Sequence, residues 1–412
     1  MAGLAVVAVL AIAACGSDEP EPPPLRAGEL SAEAFADSVG VAVHMNYTGT
    51  SYENQAQIVQ RLRELGVRHV REAMPSEGAP IAAGLRAIRR AGLRATLTTG
   101  DVAREPASAV GESLEIVGRG GIEAFEGPNE LDMDGAVDWE STLSAYMPAL
   151  AAAVRRRAPG VPVIGPSFVH PENRERLPAE LPGLLNGHPY PGGEPPEPAL
   201  GAELRRMPDG ALARGVVFTE TGYHNALQGG SEHPPASEEA TAVYLPRLLL
   251  AAFGAGVRRT FVYELADVGA EPTATDPVQH FGLVRSDLSP KPAFEAIRTL
   301  LRAVRASPGP HSSERPPWRL AGDAAASVQR LTLVRRDGSR VLALWRPVAV
   351  WDRDARRAVA PEPSSVEVVF GSAARDVLVW RPSVSASPVL RRASARRLPI
   401  ELEGDVVLVS LR

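Results

Sequence analysis

The segment Ile122-Glu123-Ala124-Phe125-Glu126, running into Gly127-Pro128-Asn129-Glu130, decides the reading of this chain. Its first residues suit a short buried strand, and Gly127-Pro128 ends it. A long amphipathic segment then runs from Trp139 to Ala158, stopped by Pro159-Gly160. Strand followed by helix is the unit of a parallel α/β fold. The same unit recurs outward in both directions. Strands are expected at Val39–His44, Val67–Ala73, Leu93–Thr99, Val161–Ile164, Leu184–His188, Val216–Glu220 and Thr260–Glu264. Helices are expected at Tyr52–Leu65, Ile81–Ala91, Ser108–Gly118, Glu238–Phe253 and Ala293–Val304, several of them closed by glycine. Eight βα units close a (β/α)8 TIM barrel. It is expected to span residues 35–307. After a linker at Gly309–Pro317, short β-branched runs and the turn Asp337-Gly338 predict a small all-β sandwich over 318–412.

In such a barrel the chemistry sits at the C-terminal ends of the strands. Those positions carry His44 and Asn46, Arg71 and Glu72, Asn129 and Glu130, His188 and Tyr190, Glu220, and Tyr263 with Glu264 and Asp267. Tyr223 and His224 follow the seventh strand. Glu130 and Glu220 stand out because barrel closure alone brings strands four and seven face to face. Two opposed carboxylates suit cleavage of a glycosidic bond, one giving a proton to the leaving oxygen and the other attacking the anomeric carbon or activating water. A separation of ~5–5.5 Å gives retention and ~6.5–9.5 Å gives inversion.

Gly127-Pro128-Asn129-Glu130 resembles the strand-four Asn-Glu of glycoside hydrolase clan A, and Phe218-Thr219-Glu220-Thr221-Gly222 resembles its strand-seven nucleophile segment. Within the clan the resemblance is to family 39. It implies a retaining hydrolase of β-linked extracytoplasmic oligo- or polysaccharides, with Glu130 as acid/base and Glu220 as nucleophile. It also implies that Asn129 holds the sugar 2-hydroxyl, that Arg71 and Tyr190 bond the nucleophile, and that His188 and Tyr190 fill the clan's strand-six positions. His44, Tyr223, Tyr263 and Glu264 are further candidates for substrate contact. Three of these have a structural alternative: core packing for His44, a loop position for Tyr223, an ion pair for Glu264. The chain departs from the clan at strand eight, where Tyr263 stands in place of the usual Trp.

Other classes are disfavoured. The formal net charge is -5, with no basic stripe for nucleic acid. Asp132 and Asp134 lack calcium-loop spacing, so no metal or other cofactor is expected. A monomer is expected. Cys15 is the single cysteine, so no internal disulfide forms. It ends the apolar run Leu4–Ala14, and the small-small-Cys ending resembles a bacterial lipobox, although no Lys or Arg precedes the run. That implies a signal over 1–15, lipidation at Cys15, a Pro-rich tether over 16–34, and a membrane-anchored place in the bacterial cell envelope. An incidental cysteine in an ordinary secretory signal remains the alternative. A carbohydrate-binding lipoprotein without catalysis, or a transglycosylase using the same carboxylates, are the competing functions.

Overall fold

The computed structural model describes residues 24–75, 81–133, 138–178, 181–230, 233–270, 273–306 and 316–411. The signal, Cys15 and residues 16–23 of the expected tether lie outside the described residues.

Eight parallel strands form the barrel: β1 (Val39–Ala42), β2 (His69–Ala73), β3 (Arg94–Thr99), β4 (Ile122–Pro128), β5 (Val163–Ile164), β6 (Leu185–Gly187), β7 (Val216–Thr221) and β8 (Arg259–Val262). Hydrogen bonding runs from β5 through β4, β3, β2, β1, β8 and β7 to β6. The ring closes through the bridge from Ile164 to Leu184. Strands in a closed parallel sheet are covered on both faces, so they are short and almost wholly buried. All six residues of β7 are buried.

The outer layer contains α1 (Gln55–Leu65), α2 (Ile81–Arg90), α3 (Pro106–Val117), α4 (Trp139–Arg157), α5 (Pro196–Arg205), α6 (Glu238–Gly254) and α7 (Pro292–Arg305). Their boundaries follow from local chemistry. Asn54 caps α1 by accepting from Gln57 N–H, and Gly66 ends it at φ +85°, a left-handed turn that a side chain would strain. Ser237 caps α6 in the same way through Ala240 N–H.

The expected eight helical crossovers are not all present. Among the described residues between β5 and β6 the helical structure is a 3-10 turn, Pro171–Arg176. Pro166, Pro171, Pro178 and Pro182 fall in this stretch and remove the N–H groups that a helix interior needs. The uncovered wall is an apolar cleft of about 450 Å³ lined by Phe168, Leu177, Leu181, Leu185 and Met207 among others.

The C-terminal β-sandwich comprises β9 (Trp318–Ala321), β10 (Gln329–Val334), β11 (Arg340–Trp345), β12 (Ser364–Trp380), β13 (Leu390–Leu402) and β14 (Val407–Leu411). Two of the expected runs are one long strand, β12, whose register breaks between Val369 and Ala374. Leu342, Leu344, Val366, Val368, Leu398 and Val409 fill its core. The ordered body also begins earlier than expected. Glu29–Ser31, inside the stretch read as tether, pairs in parallel with Thr332–Val334 of β10, and Ala32–Ser38 is already helical. Backbone groups that this edge of β10 would otherwise leave open are thereby paired.

Sandwich and barrel are joined by buried polar contacts. Arg247 of α6 is fully buried and binds Glu197 of α5 together with the carbonyls of Val348 and Gly404. Arg335 donates to the carbonyls of Ala303 and Val304, satisfying the C-terminal end of α7. Trp345 and Trp351 donate across the same seam to Glu197 and to the Pro235 carbonyl.

Candidate active site

At the C-terminal mouth of the barrel one arginine organises the floor. Arg71, on β2, is buried and points inward. Its Nε and Nη2 bind the two oxygens of Glu126 on β4 at 2.7 and 2.8 Å. Nη1 donates to Glu220 on β7, and Nη2 donates to Asn129 Oδ1 at 2.7 Å. A planar guanidinium with five donors can hold three partners at once in fixed directions.

Glu220 accepts a second hydrogen bond, from the Tyr190 hydroxyl at 2.7 Å. Burial alone would raise its carboxyl. His188, Arg71 and the Tyr190 hydrogen bond outweigh that and hold it below the usual range. Glu220 is therefore kept ionised.

Glu130 follows β4 with φ 45°, in the left-handed region that a non-glycine residue occupies only when its surroundings enforce it. Its N–H is held by Ser167 Oγ at 3.1 Å, and the same hydroxyl donates to Asn129 Oδ1. Its carboxylate Oε1 lies 2.7 Å from His188 Nδ1. An oxygen of Glu130, an oxygen of Glu220 and a ring nitrogen of His188 all lie within 4.8 Å of one another. That spacing also suits a cation. Here, however, the groups are already satisfied by Arg71, Tyr190 and each other, so the set is organised to hold protons.

Strand β6 and its extension place the histidine. His188 Nε2 faces Thr219 Oγ1 at 2.8 Å. Thr219 in turn reaches Glu126 Oε1 and Asn186 Oδ1, both at 2.9 Å. Asn186 donates Nδ2 to Glu126 at 3.2 Å. Thr221 Oγ1 bonds the Pro189 carbonyl and pins the loop that carries Tyr190.

The β1–β8 side of the mouth is different in kind. His44 stacks on Tyr47 with ring centroids 4.4 Å apart and meets Tyr263 edge-on at 5.5 Å. Burial pushes its imidazole down to about 4. Tyr263 packs on Phe281 at 5.3 Å and reaches Tyr190 at 6.4 Å, forming an aromatic wall beside Glu220.

Two expectations are corrected. Glu264 does not reach the cleft: it is fully buried beneath His44 and accepts from the Tyr52 hydroxyl at 2.6 Å. Burial pushes its carboxyl well above the ordinary range. Its other oxygen contact is His44 Nε2, 3.4 Å away, the pairing weighed as its alternative. Tyr223 also leaves the mouth. Its hydroxyl donates to the Glu194 carbonyl and its ring packs on Tyr244, 5.5 Å away. Gly222, just before it, packs against the backbone that follows β8, where a Cβ would sit 2.3 Å from the Tyr263 carbonyl oxygen. Asp132 is a structural cap, accepting from the N–H groups of Val169 and His170 and from Asn173.

Glu126, Asn186, Thr219, Ser167 and Tyr52 were missed as site residues. A hydrogen-bond argument could have found Glu126, because a buried arginine has five N–H donors and one carboxylate satisfies only some of them.

No protein-family model matches the chain, and no curated protein does. Its architecture is found among solved structures. A family 39 glycoside hydrolase from Bacteroides cellulosilyticus WH2 is similar over 92% of this chain and 82% of its own, with 14% identity and a TM-score of 0.62. The GH39 enzyme from Xanthomonas axonopodis pv. citri matches over 94% and 96%, with 16% identity and a TM-score of 0.58. A monomeric β-xylosidase from Caulobacter crescentus CB15 matches over 95% and 98%, with 15% identity and a TM-score of 0.56. At these identities the likeness shows the fold, a TIM barrel followed by a β-sandwich.

Proposed function

We propose that the protein is a retaining glycoside hydrolase acting on a β-linked oligo- or polysaccharide, with Glu220 as nucleophile and Glu130 as acid/base. The observation that carries this reading is the short spacing of the two carboxylates, oxygens within 4.8 Å, with Glu220 held ionised by Arg71 and Tyr190. An inverting pair needs ~6.5–9.5 Å to admit a water between sugar and base. In the first step Glu220 attacks the anomeric carbon while Glu130 protonates the departing oxygen. In the second, Glu130 takes a proton from water, which displaces Glu220. Asn129, oriented by Arg71 and Ser167, offers its Nδ2 to a sugar hydroxyl. The solved structures named above, family 39 enzymes and a β-xylosidase, support trying xylosides first. The apolar run ending at Cys15 supports a lipid-anchored enzyme outside the cytoplasmic membrane.

The test uses activated 2-deoxy-2-fluoro β-glycosides and intact mass. Wild type is expected to accumulate a covalent glycosyl adduct on Glu220, and Glu220→Gln to form none. Glu130→Ala is expected to retain slow turnover of glycosides whose leaving groups need no proton, with azide restoring rate and yielding a β-glycosyl azide. Equal loss by Glu130→Ala on activated and unactivated glycosides would defeat the assignment.

A further inference from the structure

The hydrogen bonds around His188 constrain where protons can sit. Thr219 has one hydroxyl proton. Its two other neighbours, Glu126 Oε1 and Asn186 Oδ1, are acceptors. The Asn186 orientation follows from its own partners, because Nδ2 donates to Glu126 and to the Gly165 carbonyl. The Thr219 proton therefore points away from the ring, and its lone pair faces His188 Nε2 at 2.8 Å. Nε2 must carry hydrogen. The other ring nitrogen, Nδ1, then lies 2.7 Å from Glu130 Oε1. With no proton between them, two lone pairs would face each other in a buried site, an arrangement that costs the full penalty of an unmade bond. One proton belongs in that gap.

We propose that His188 is a positioning residue that shares a single proton with Glu130, between Nδ1 and Oε1, in a tautomer locked by Thr219, and that this pair is the proton reservoir of the reaction. The proposal rests on the glycosidase reading for its role in catalysis. Its proton placement rests on the geometry alone. On glycosylation the shared proton moves to the glycosidic oxygen as the C1–O bond breaks and Glu220 bonds C1, leaving Glu130 ionised and His188 neutral. On deglycosylation Glu130 removes a proton from water, the water oxygen bonds C1, the C1–Glu220 bond breaks, and the pair is reloaded.

The groups facing His188 agree with this. Glu130 comes from the end of β4, and Thr219 and Glu220 from β7, the latter with Oε2 3.8 Å from Nδ1. Arg71 contributes opposing charge from β2, while Asn186 and the neutral Tyr190 flank His188 on its own segment. Burial and Arg71 disfavour the imidazolium, but the two carboxylates outweigh them and the ring holds its second proton above its ordinary range.

The experiment has two arms. In ¹⁵N-histidine NMR of the wild-type protein between about pH 5 and 8, His188, assigned by its loss in His188→Gln, is expected to show Nε2 protonated throughout. A ring bare at Nε2 would overturn the proposal whatever the enzyme's activity. In kinetics on a glycoside with a poor leaving group, Thr219→Val releases the lock. His188 can then donate Nδ1–H to an ionised Glu130, and the alkaline limb of kcat/KM is expected to fall by roughly one pH unit. Thr219→Ser, which keeps the hydroxyl, is expected to restore the wild-type profile. An alkaline limb unmoved in Thr219→Val would also overturn it. If no glycoside is turned over at all, the function above fails, and the NMR arm still decides where the proton lies.

Discussion

The barrel carries an arginine–carboxylate–histidine network at each end, and the two are put to opposite uses. At the N-terminal end Arg259 binds Glu123 at 2.6 Å and Asp37 at 3.0 Å, and His69 lies 3.0 Å from Asp37. Hydrogen bonds and charges from His69 and Arg259 hold both acids down to about 2, against the cost of burial. At the C-terminal end Arg71 likewise grips two carboxylates, but a third, Glu130, is left to the histidine and to the open cleft. The same residue types make a plug where both acids are paired to a cation, and, on the reading proposed above, a reactive centre where one acid is left to hold a transferable proton. Composition does not separate the two; the end of the strand on which they stand does.

That contrast can be broken most severely at Arg71. Arg71→Met strands Glu126 and Glu220 in a buried site, and we expect a loss of about 3–5 kcal/mol in denaturant unfolding at neutral pH together with loss of catalysis. A variant of near wild-type stability would show that the floor does not depend on this guanidinium. At the other end, Glu123→Gln is expected to cost stability while leaving kcat/KM unchanged. The folded pKa of Glu123 is depressed, so its contribution is present above about 4.5 and is lost as pH falls toward 2. The expected difference from wild type is roughly 2–3 kcal/mol at pH 7, vanishing near pH 2. A pH-independent difference would mean a packing effect instead. The smallest and sharpest test is Tyr190→Phe. The lost hydroxyl stabilised ionised Glu220, so Glu220, the proposed nucleophile, titrates higher and the acid limb of kcat/KM is expected to move up by about one unit, with the alkaline limb unmoved. Movement of both limbs would mean that the two carboxylates do not titrate as separate units.

Much of this was legible in the residues. The strand positions were readable because β-branched runs such as Val216-Val217-Phe218 are bounded by glycine or proline. Arg71, Glu130, His188, Tyr190 and Glu220 were readable as strand-end polar residues. Glu126, Thr219 and Asn186 were not. In a strand buried on both faces, apolar periodicity does not report which residues point inward, and these three act by pointing inward. Tyr223 was misplaced because its partners, the Glu194 carbonyl and the Tyr244 ring, come from distant segments, a tertiary event. Glu264 was misplaced because burial by Tyr52 and His44 comes from β1 and the turn after it. The missing crossover after β5 was signalled by its prolines, while β13 was obscured by Arg391, Arg392, Arg396 and Arg397, exposed residues in adjacent pairs that break the alternation of buried and exposed positions along the strand.

The pairing of Glu29–Ser31 with β10 sets a timetable for biosynthesis. The contact between Glu33 and Arg336 spans 303 residues. At ~5–20 residues per second the ribosome takes on the order of tens of seconds to supply the partner strand. Throughout that interval the barrel can assemble, but its amino-terminal flank has nowhere to dock. Glu29–Ser31 is thus made long before it can be seated, and its seating reports that the sandwich strand β10 has been supplied.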